Sequence, residues 1–346
     1  MEEYFYLAIV VCFLLLLTAI HKKLIVLPFL ALALFSGFRY DVGIDYDGYQ
    51  RIFEWGREGL NGTKEPLFIY FLKFCNYLGG TGQLMFLILS FITIYFVYKF
   101  IDYTSKDRIL SFLLFFSIIS FYLYTFNAIR QWTACSIYLF SLSLLFENKI
   151  KKFLIINIIA ALFFHLSLLL IIPLTLLCRI DLSRFKKNVM LIGAFVAGAL
   201  LKILVGFTAY DAYNAEGLEF DSAVDIKIYI FLLMSIVVEF IRKKFKKTKY
   251  SEFLFNINFI SILLLIIIII QGSGPLVLLI KRFHNYFLAI YIIIIPFLLT
   301  NVEESKRKAV SGVLYIVLPL LFLTTVYFLG ESNNLLPFQF NFKLFN

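Results

Sequence analysis

Apolar positions in this chain form continuous stretches of roughly 15 to 25 residues, and the charged residues fall in short clusters between them. A helix needs about 20 such residues to cross a ~30 Å hydrocarbon core. The stretches predict spans over about 4–20, 24–38, 84–101, 109–126, 128–146, 153–177, 189–207, 226–241, 253–270, 283–300 and 309–329. The expected fold class is therefore all-α, a polytopic transmembrane helical bundle of about 10–12 crossings. No repeat of fixed period and no long linker divides the chain, so one membrane domain over 1–346 is expected.

Basic clusters orient the spans. His21-Lys22-Lys23 and Arg242-Lys243-Lys244-Phe245-Lys246-Lys247 read as cytoplasmic. Both termini, the 39–64 segment and the loops 208–225 and 271–282 then lie outside, with 301–308 inside. The counts from the two clusters disagree by one crossing, because Glu147 to Lys152 and Arg179 to Lys187 are both basic and only 153–177 separates them. Two readings stay open: 153–177 turns back near His165, or the short stretch Leu67 to Leu78 crosses. The first is preferred, since helices broken at membrane depth are tolerated where they line a polar cavity.

Composition agrees with the pattern. Of 346 residues, 62% are hydrophobic and only 16% charged, with a mean hydropathy of +0.90. Soluble domains carry about 25% charged residues, so disorder, a secreted disulfide scaffold and a soluble nucleic-acid binder are excluded. The net charge of +10 reports loop topology, and no nucleic-acid partner is expected. Cys12, Cys75, Cys135 and Cys178 have neither metal nor redox spacing and read as buried thiols. The first stretch, from Tyr4, has its basic residues behind it, which is the pattern of a first transmembrane helix and not of a cleavable signal.

Four places carry candidate chemistry. The largest polar insert, 39–64, holds Arg39, Asp45, Tyr46, Asp47, Tyr49 and Trp55, and is followed by Glu65-Pro66. Carboxylates for acid–base work, arginines for phosphate and aromatic faces for sugar rings lie close together there. The bland reading makes them interfacial anchors and solvating charges. Gly43 and Gly48 are expected in tight turns, Glu65-Pro66 is expected to restart a short interfacial helix at 66–78 with the proline at its first position, and Gly79 to Gly82 to end it, giving an external unit over 39–83. Asn127, Arg130, Gln131, Ala134, Tyr138 and Ser141 follow helical spacing and form one polar stripe, with snorkelling of Arg130 as its bland alternative. His165 lies within an apolar run on one helical face with Asn157 and Ala161, where a satisfied core histidine is the alternative to a functional one. Arg282 and Tyr286, one turn apart, are expected at the outer start of a span, as site residues or as an anchor pair.

Weaker matches are set aside. Asp45-Tyr46-Asp47 fits the D-x-D pattern for a metal and a nucleotide sugar, but no nucleotide-binding domain accompanies it. Asn61-Gly62-Thr63 is a three-residue sequon of little specificity. Walker, H-E-x-x-H, G-x-S-x-G and Cys/His metal signatures are missing, so ATP-driven transport and zinc hydrolysis lose support.

Five of these motifs together resemble the EpsG-type, Wzy-like polymerases of bacterial surface polysaccharides: Arg39 with Gly43, Asp45, Tyr46 and Tyr49; Glu65-Pro66; Arg130-Gln131; Phe164-His165-Leu166-Ser167; and Arg282 with Tyr286. The resemblance covers about residues 1 to 300. It implies a GT-C-like membrane glycosyltransferase that joins undecaprenyl-diphosphate-linked oligosaccharides at the outer face of the bacterial inner, or plasma, membrane. Such a donor carries its own activated bond, so no cofactor and no metal are expected. Arg39, Arg130 and Arg282 are expected on the diphosphate, and Tyr46, Tyr49, Gln131 and Tyr286 on sugar or acceptor. Asp45, Glu65 and His165 stay open as the catalytic base. Membrane lipid and a chain-length regulator are the other implied partners. A lipid-linked sugar flippase or polysaccharide transporter is the alternative, disfavoured because the polar groups gather toward the external side and not near the midplane.

Overall fold

A computed structural model describes residues 1–205 and 225–345. The expected loop 208–225 and the end of the expected span 189–207 therefore lie mostly outside the described residues. The protein is an all-α helical bundle. Among the described residues four helices are, by length and composition, long and apolar enough to cross a membrane: Gly82–Thr104, Lys249–Gln271, Leu276–Leu299 and Glu304–Leu329.

The chain packs as two compact units, one of Met1–Leu168 with Ile292–Asn346 and one of Leu169–Tyr291. The first begins with α1 (Glu2–Ile20) and α2 (Val26–Gly37), followed by α3 (Tyr46–Arg57) and α4 (Phe68–Tyr77). Then come α5 (Gly82–Thr104), α6 (Arg108–Ser117), α7 (Ile129–Phe146) and α8 (Ile150–Phe163). Helix α5 is central and packs on α2 and α7. The second unit contains α9 (Leu168–Leu177), α10 (Arg184–Val205), α11 (Ile226–Ile241), α12 (Lys249–Gln271) and α13 (Pro275–Leu288). There α12 is buried on nearly all sides and contacts α10, α11 and α13, as a helix apolar all round requires. Chain order then returns to the first unit with α14 (Tyr291–Leu299) and α15 (Glu304–Leu329).

Several expected spans are interrupted. The stretch 109–126 is helical only to Ser117 and then runs through turns and one short 3-10 segment, Leu123–Phe126. No proline or glycine marks the break. Tyr122 holds it, donating its hydroxyl to the Leu32 carbonyl at 2.9 Å while its ring packs on Phe115, Phe116 and Phe126. The stretch 153–177 is interrupted at residues 164–167, around His165. The stretch Leu67 to Leu78, the other place where a crossing was open, holds the ten-residue helix α4, about 15 Å long. The helix expected from 283 begins already at Pro275, so the connector 271–282 shrinks to a turn containing Gly272 and Gly274, and the run breaks once at 289–290.

The polar insert is more ordered than a loop. Its centre is helix α3, which buries Tyr46, Tyr49, Phe53 and Gly56 and exposes Asp47, Arg51, Glu54 and Arg57, an amphipathic pattern suited to a membrane interface. Gly48 is inside this helix and makes no turn, and Pro66 sits two residues ahead of the first helical residue of α4 and not at its first position. Gly43 does turn, with φ of 102°.

The last residues tie one face of the first unit together. Strand β1 (Arg39–Tyr40) pairs antiparallel with β2 (Gln339–Phe340), and Gly43 N–H donates to the Asn334 carbonyl at 2.6 Å. Thr81 donates both its N–H, at 2.8 Å, and its hydroxyl to carbonyls of the same tail. Tyr4 at the start of α1 donates to the Leu335 carbonyl at 3.0 Å. The N-terminus, the polar insert and the C-terminal tail therefore share one face.

A Cβ at Gly43 would meet the Phe126 carbonyl oxygen at 2.7 Å and Asn127 Oδ1 at 2.9 Å, whereas one at Gly48 meets nothing within 4 Å. Gly43→Ala should cost about 1–3 kcal/mol and lower the thermal midpoint of the detergent-purified protein, while Gly48→Ala should leave it level or raise it. Equal midpoints for the two variants would contradict this geometry.

Candidate functional site

The site is assembled at places where helices stop. Helix α2 ends at Gly37, and its last carbonyls have no further turn to bond. Gln83 supplies one donor, giving its Nε2 to the carbonyls of Gly37 at 2.6 Å and Arg39 at 3.1 Å. Arg39 supplies more. It is 1% exposed and gives Nη1 to the Ser36 carbonyl at 2.5 Å, Nε to Val42 at 3.2 Å and Nη2 to Phe126 at 3.3 Å. Its guanidinium also lies over the Phe86 and Phe126 rings, at 4.8 and 5.0 Å from their centroids. Burial lowers the guanidinium to about 10, which leaves it charged at neutral pH. Arg39, expected on the diphosphate, is thus occupied by backbone carbonyls and holds the insert to the break before α7. Asn127 completes the link by accepting the Ile44 N–H on Oδ1 at 2.7 Å.

The second junction brings three distant motifs together. Glu65, 5% exposed, forms an ion pair from Oε2 to Nη1 of Arg130, while its Oε1 accepts the Leu166 N–H at 3.4 Å. Leu67 N–H, next along the same turn, donates to the Leu162 carbonyl at the end of α8 at 3.1 Å. Glu65-Pro66, Arg130-Gln131 and Phe164-His165-Leu166-Ser167 therefore meet around one carboxylate. The Arg130 guanidinium is sandwiched over Phe68 and Tyr49, at 5.2 and 5.7 Å from the ring centroids. Its Nε is buried with no hydrogen-bond partner among the described residues. Low dielectric strengthens the pair and would make either charge costly alone.

Asp45 is exposed at the N-terminal end of α3, without a capping bond from its side chain. His165 lies in the break and not on the α8 face, so it does not share a helical stripe with Asn157. Its Nδ1 is 2.6 Å from Ser167 Oγ, while Asn157 is fully buried and donates to Ser141 Oγ at 2.7 Å. That bond and the burial of Gln131, Ala134, Tyr138 and Ser141 show that the stripe on α7 faces protein. The rings expected to meet sugar, Tyr46 and Tyr49, are turned inward against α5, with Tyr46 stacked on Phe86 at 4.7 Å. Burial raises both hydroxyls above the ordinary tyrosine value. In the second unit Arg282 is exposed and Tyr286 fully buried, one turn apart on α13. Arg282 is the eighth residue of that helix and not at its start.

Some participants carry no motif. The Leu166 N–H is a backbone group, and Gln83 and Asn334 reach the insert only through the fold. Asn127 alone had a signal, as the first residue of the polar stripe. Among the described residues no group of three or more His, Cys, Asp and Glu side chains could hold a metal ion.

A bundle of this composition, with a buried carboxylate–guanidinium pair at interrupted helices beneath an amphipathic interfacial helix, is an integral membrane protein with a polar site at one face. The chain belongs to the EpsG family, whose family model matches residues 22–340, and this makes it a membrane protein of polysaccharide biosynthesis. The match runs past residue 300 and so takes in α15 and the tail, where no motif had been found. No curated protein and no solved structure gives a match.

Arg130→Ala would leave Glu65 charged and buried, at a cost of about 3–5 kcal/mol. Glu65→Gln keeps the shape and the Leu166 acceptor, and Glu65→Gln combined with Arg130→Gln should recover much of the loss. Unfolding midpoints of the four proteins in one detergent give the coupling directly, and additive single effects would show that the pair is not coupled.

Proposed function

We propose that this protein joins undecaprenyl-diphosphate-linked oligosaccharide repeat units into a surface polysaccharide at the outer face of the bacterial plasma membrane. The observation that carries the reading is the Glu65–Arg130 pair, a carboxylate and a guanidinium buried side by side, with the guanidinium Nε lacking a hydrogen-bond partner among the described residues. A diphosphate leaving group suits this guanidinium in charge, and guanidinium can bind phosphate through two parallel donors.

On this reading the incoming diphosphate competes for Arg130 and draws it from Glu65, whose Oε2 is then free to accept the proton of the acceptor hydroxyl. The acceptor oxygen forms its bond to the anomeric carbon as the bond from that carbon to the phosphate oxygen breaks. The electron pair leaves on the diphosphate, where Arg130 stabilises the charge. Glu65 is the base preferred among the three candidates because it alone is both buried and in contact with the arginine. His165 sits beside it through Leu166, and Asp45 is assigned to the solvent-facing acceptor. Arg39 is a positioning residue. Arg282 and Tyr286 keep an expected role in diphosphate and sugar binding on their motif alone. The cationic side chains take the place a divalent ion would fill, so the reaction is metal-independent, and a chain-length regulator is the protein partner this activity calls for.

Glu65→Gln should remove the polymer ladder in cells while single repeat units stay on the surface, and Arg130→Lys should restore little of the activity lost in Arg130→Ala. Purified protein should polymerise lipid-linked repeat units in excess chelator. A ladder of normal intensity from Glu65→Gln would defeat the assignment, and loss of the single-repeat product as well would favour the flippase reading.

Orientation has its own test. In a background without the four native cysteines, Glu58→Cys should react with a membrane-impermeant thiol reagent in intact spheroplasts, and Lys306→Cys only after permeabilisation. The reverse pattern would turn the site toward the cytoplasm and remove its access to exported substrate.

A further inference from the structure

The first unit contains a second polar feature, at the opposite end of its spans. Helix α5 begins beside the tail-bound Thr81 and ends at Thr104, and α15 begins at Glu304 and ends where it feeds the tail. Between their far ends, α14 and the 105–107 turn enclose a cavity of about 410 Å3, within the size range of small-ligand pockets. Three cations line it, Lys106, Arg307 and Lys308, against one carboxylate, Asp107. That carboxylate is already engaged on both oxygens: Oδ1 accepts the Leu110 N–H at 3.0 Å, and Oδ2 accepts the Tyr315 hydroxyl at 2.9 Å. Arg307 is half-buried and makes no ion pair among the described residues, while Lys308 pairs with Glu304 at 2.7 Å where both are largely exposed, a contact an anion can displace.

Gly312 is the second, independent observation. It lines the cavity from the interior of α15, and a Cβ there would meet nothing within 4 Å. No close approach of another backbone calls for a glycine, and glycine inside a helix costs about 1 kcal/mol against alanine. Its effect is to keep a hollow open beside three cations, above an apolar floor of Pro296 and Leu299. Loop charges placed only to orient the chain would need no such hollow.

We propose that this cavity binds a phosphate monoanion or dianion, carried by an anionic lipid headgroup or by a soluble phosphorylated compound, on the membrane face opposite the candidate polysaccharide site. Lys106 and Lys308 supply point charges and Arg307 the bidentate contact. The floor accommodates the first carbons attached to the phosphate.

The test uses the full-length protein in a neutral detergent, with native mass spectrometry and thermal shift as readouts. Dioleoyl-phosphatidylglycerol, dioleoyl-phosphatidylcholine and inorganic phosphate are the probes. Preferential retention of phosphatidylglycerol assigns the lipid source; stabilisation by inorganic phosphate without lipid preference assigns the soluble one. In either case Arg307→Ala should weaken binding roughly tenfold or more, as loss of a charge-assisted bidentate contact does. Gly312→Leu projects a side chain into the hollow from a position whose Cβ meets nothing within 4 Å, and should block binding while the variant unfolds at or above the wild-type temperature. Equal binding by wild type, Arg307→Ala and folded Gly312→Leu, or no binding of either anionic probe, overturns the proposal.

Discussion

Where a helix stops inside a membrane protein, its terminal carbonyls and amides lose their partners and no water replaces them. The first unit depends on how that deficit is met. Helix α2 stops at Gly37, the run after α6 is interrupted up to Ile129, and α8 stops at Phe163, and polar side chains lying outside these helices meet each stop. Arg39 serves carbonyls of the first and second, Asn127 ties the second back to the insert, and Glu65 serves the third. Polar residues that look costly in a bilayer are therefore what makes the interruptions stable.

The same repair sets up the chemistry. Glu65 is fixed by one backbone amide and one guanidinium, so its carboxylate has a defined position before any substrate arrives. Arg130 is confined by two aromatic rings and by Glu65, and its Nε has no hydrogen-bond partner among the described residues.

The tail completes the arrangement. Pairing of Gln339–Phe340 with Arg39–Tyr40, and of the Asn334 carbonyl with Gly43, holds the insert from the side that faces away from the spans. The family match that extends through residue 340 agrees with a tail that is part of the fold and not an appendage.

Membrane insertion, the helical class and the residues worth attention were legible from sequence, because long apolar stretches admit only helices in lipid and charges within them demand a reason. Helix α3 was not legible: a segment rich in Asp and Gly reads as a loop turning at Gly43 and Gly48, and only the packing of Tyr46 and Tyr49 against α5 shows that they share a buried helical face with Phe53. Continuity of the spans was not legible. An apolar stretch such as 109–126 has the same composition whether one helix or two pieces, and only the bond from Tyr122 to Leu32 decides it. Likewise, sequence supplied three arginines of equal promise, and the tertiary structure separated them: Arg39 is surrounded by carbonyls, Arg130 by a carboxylate and two rings, and Arg282 stands exposed on its helix. What a guanidinium can bind is decided by which acceptors lie within reach, and those acceptors belong to backbone up to 87 residues away in the chain.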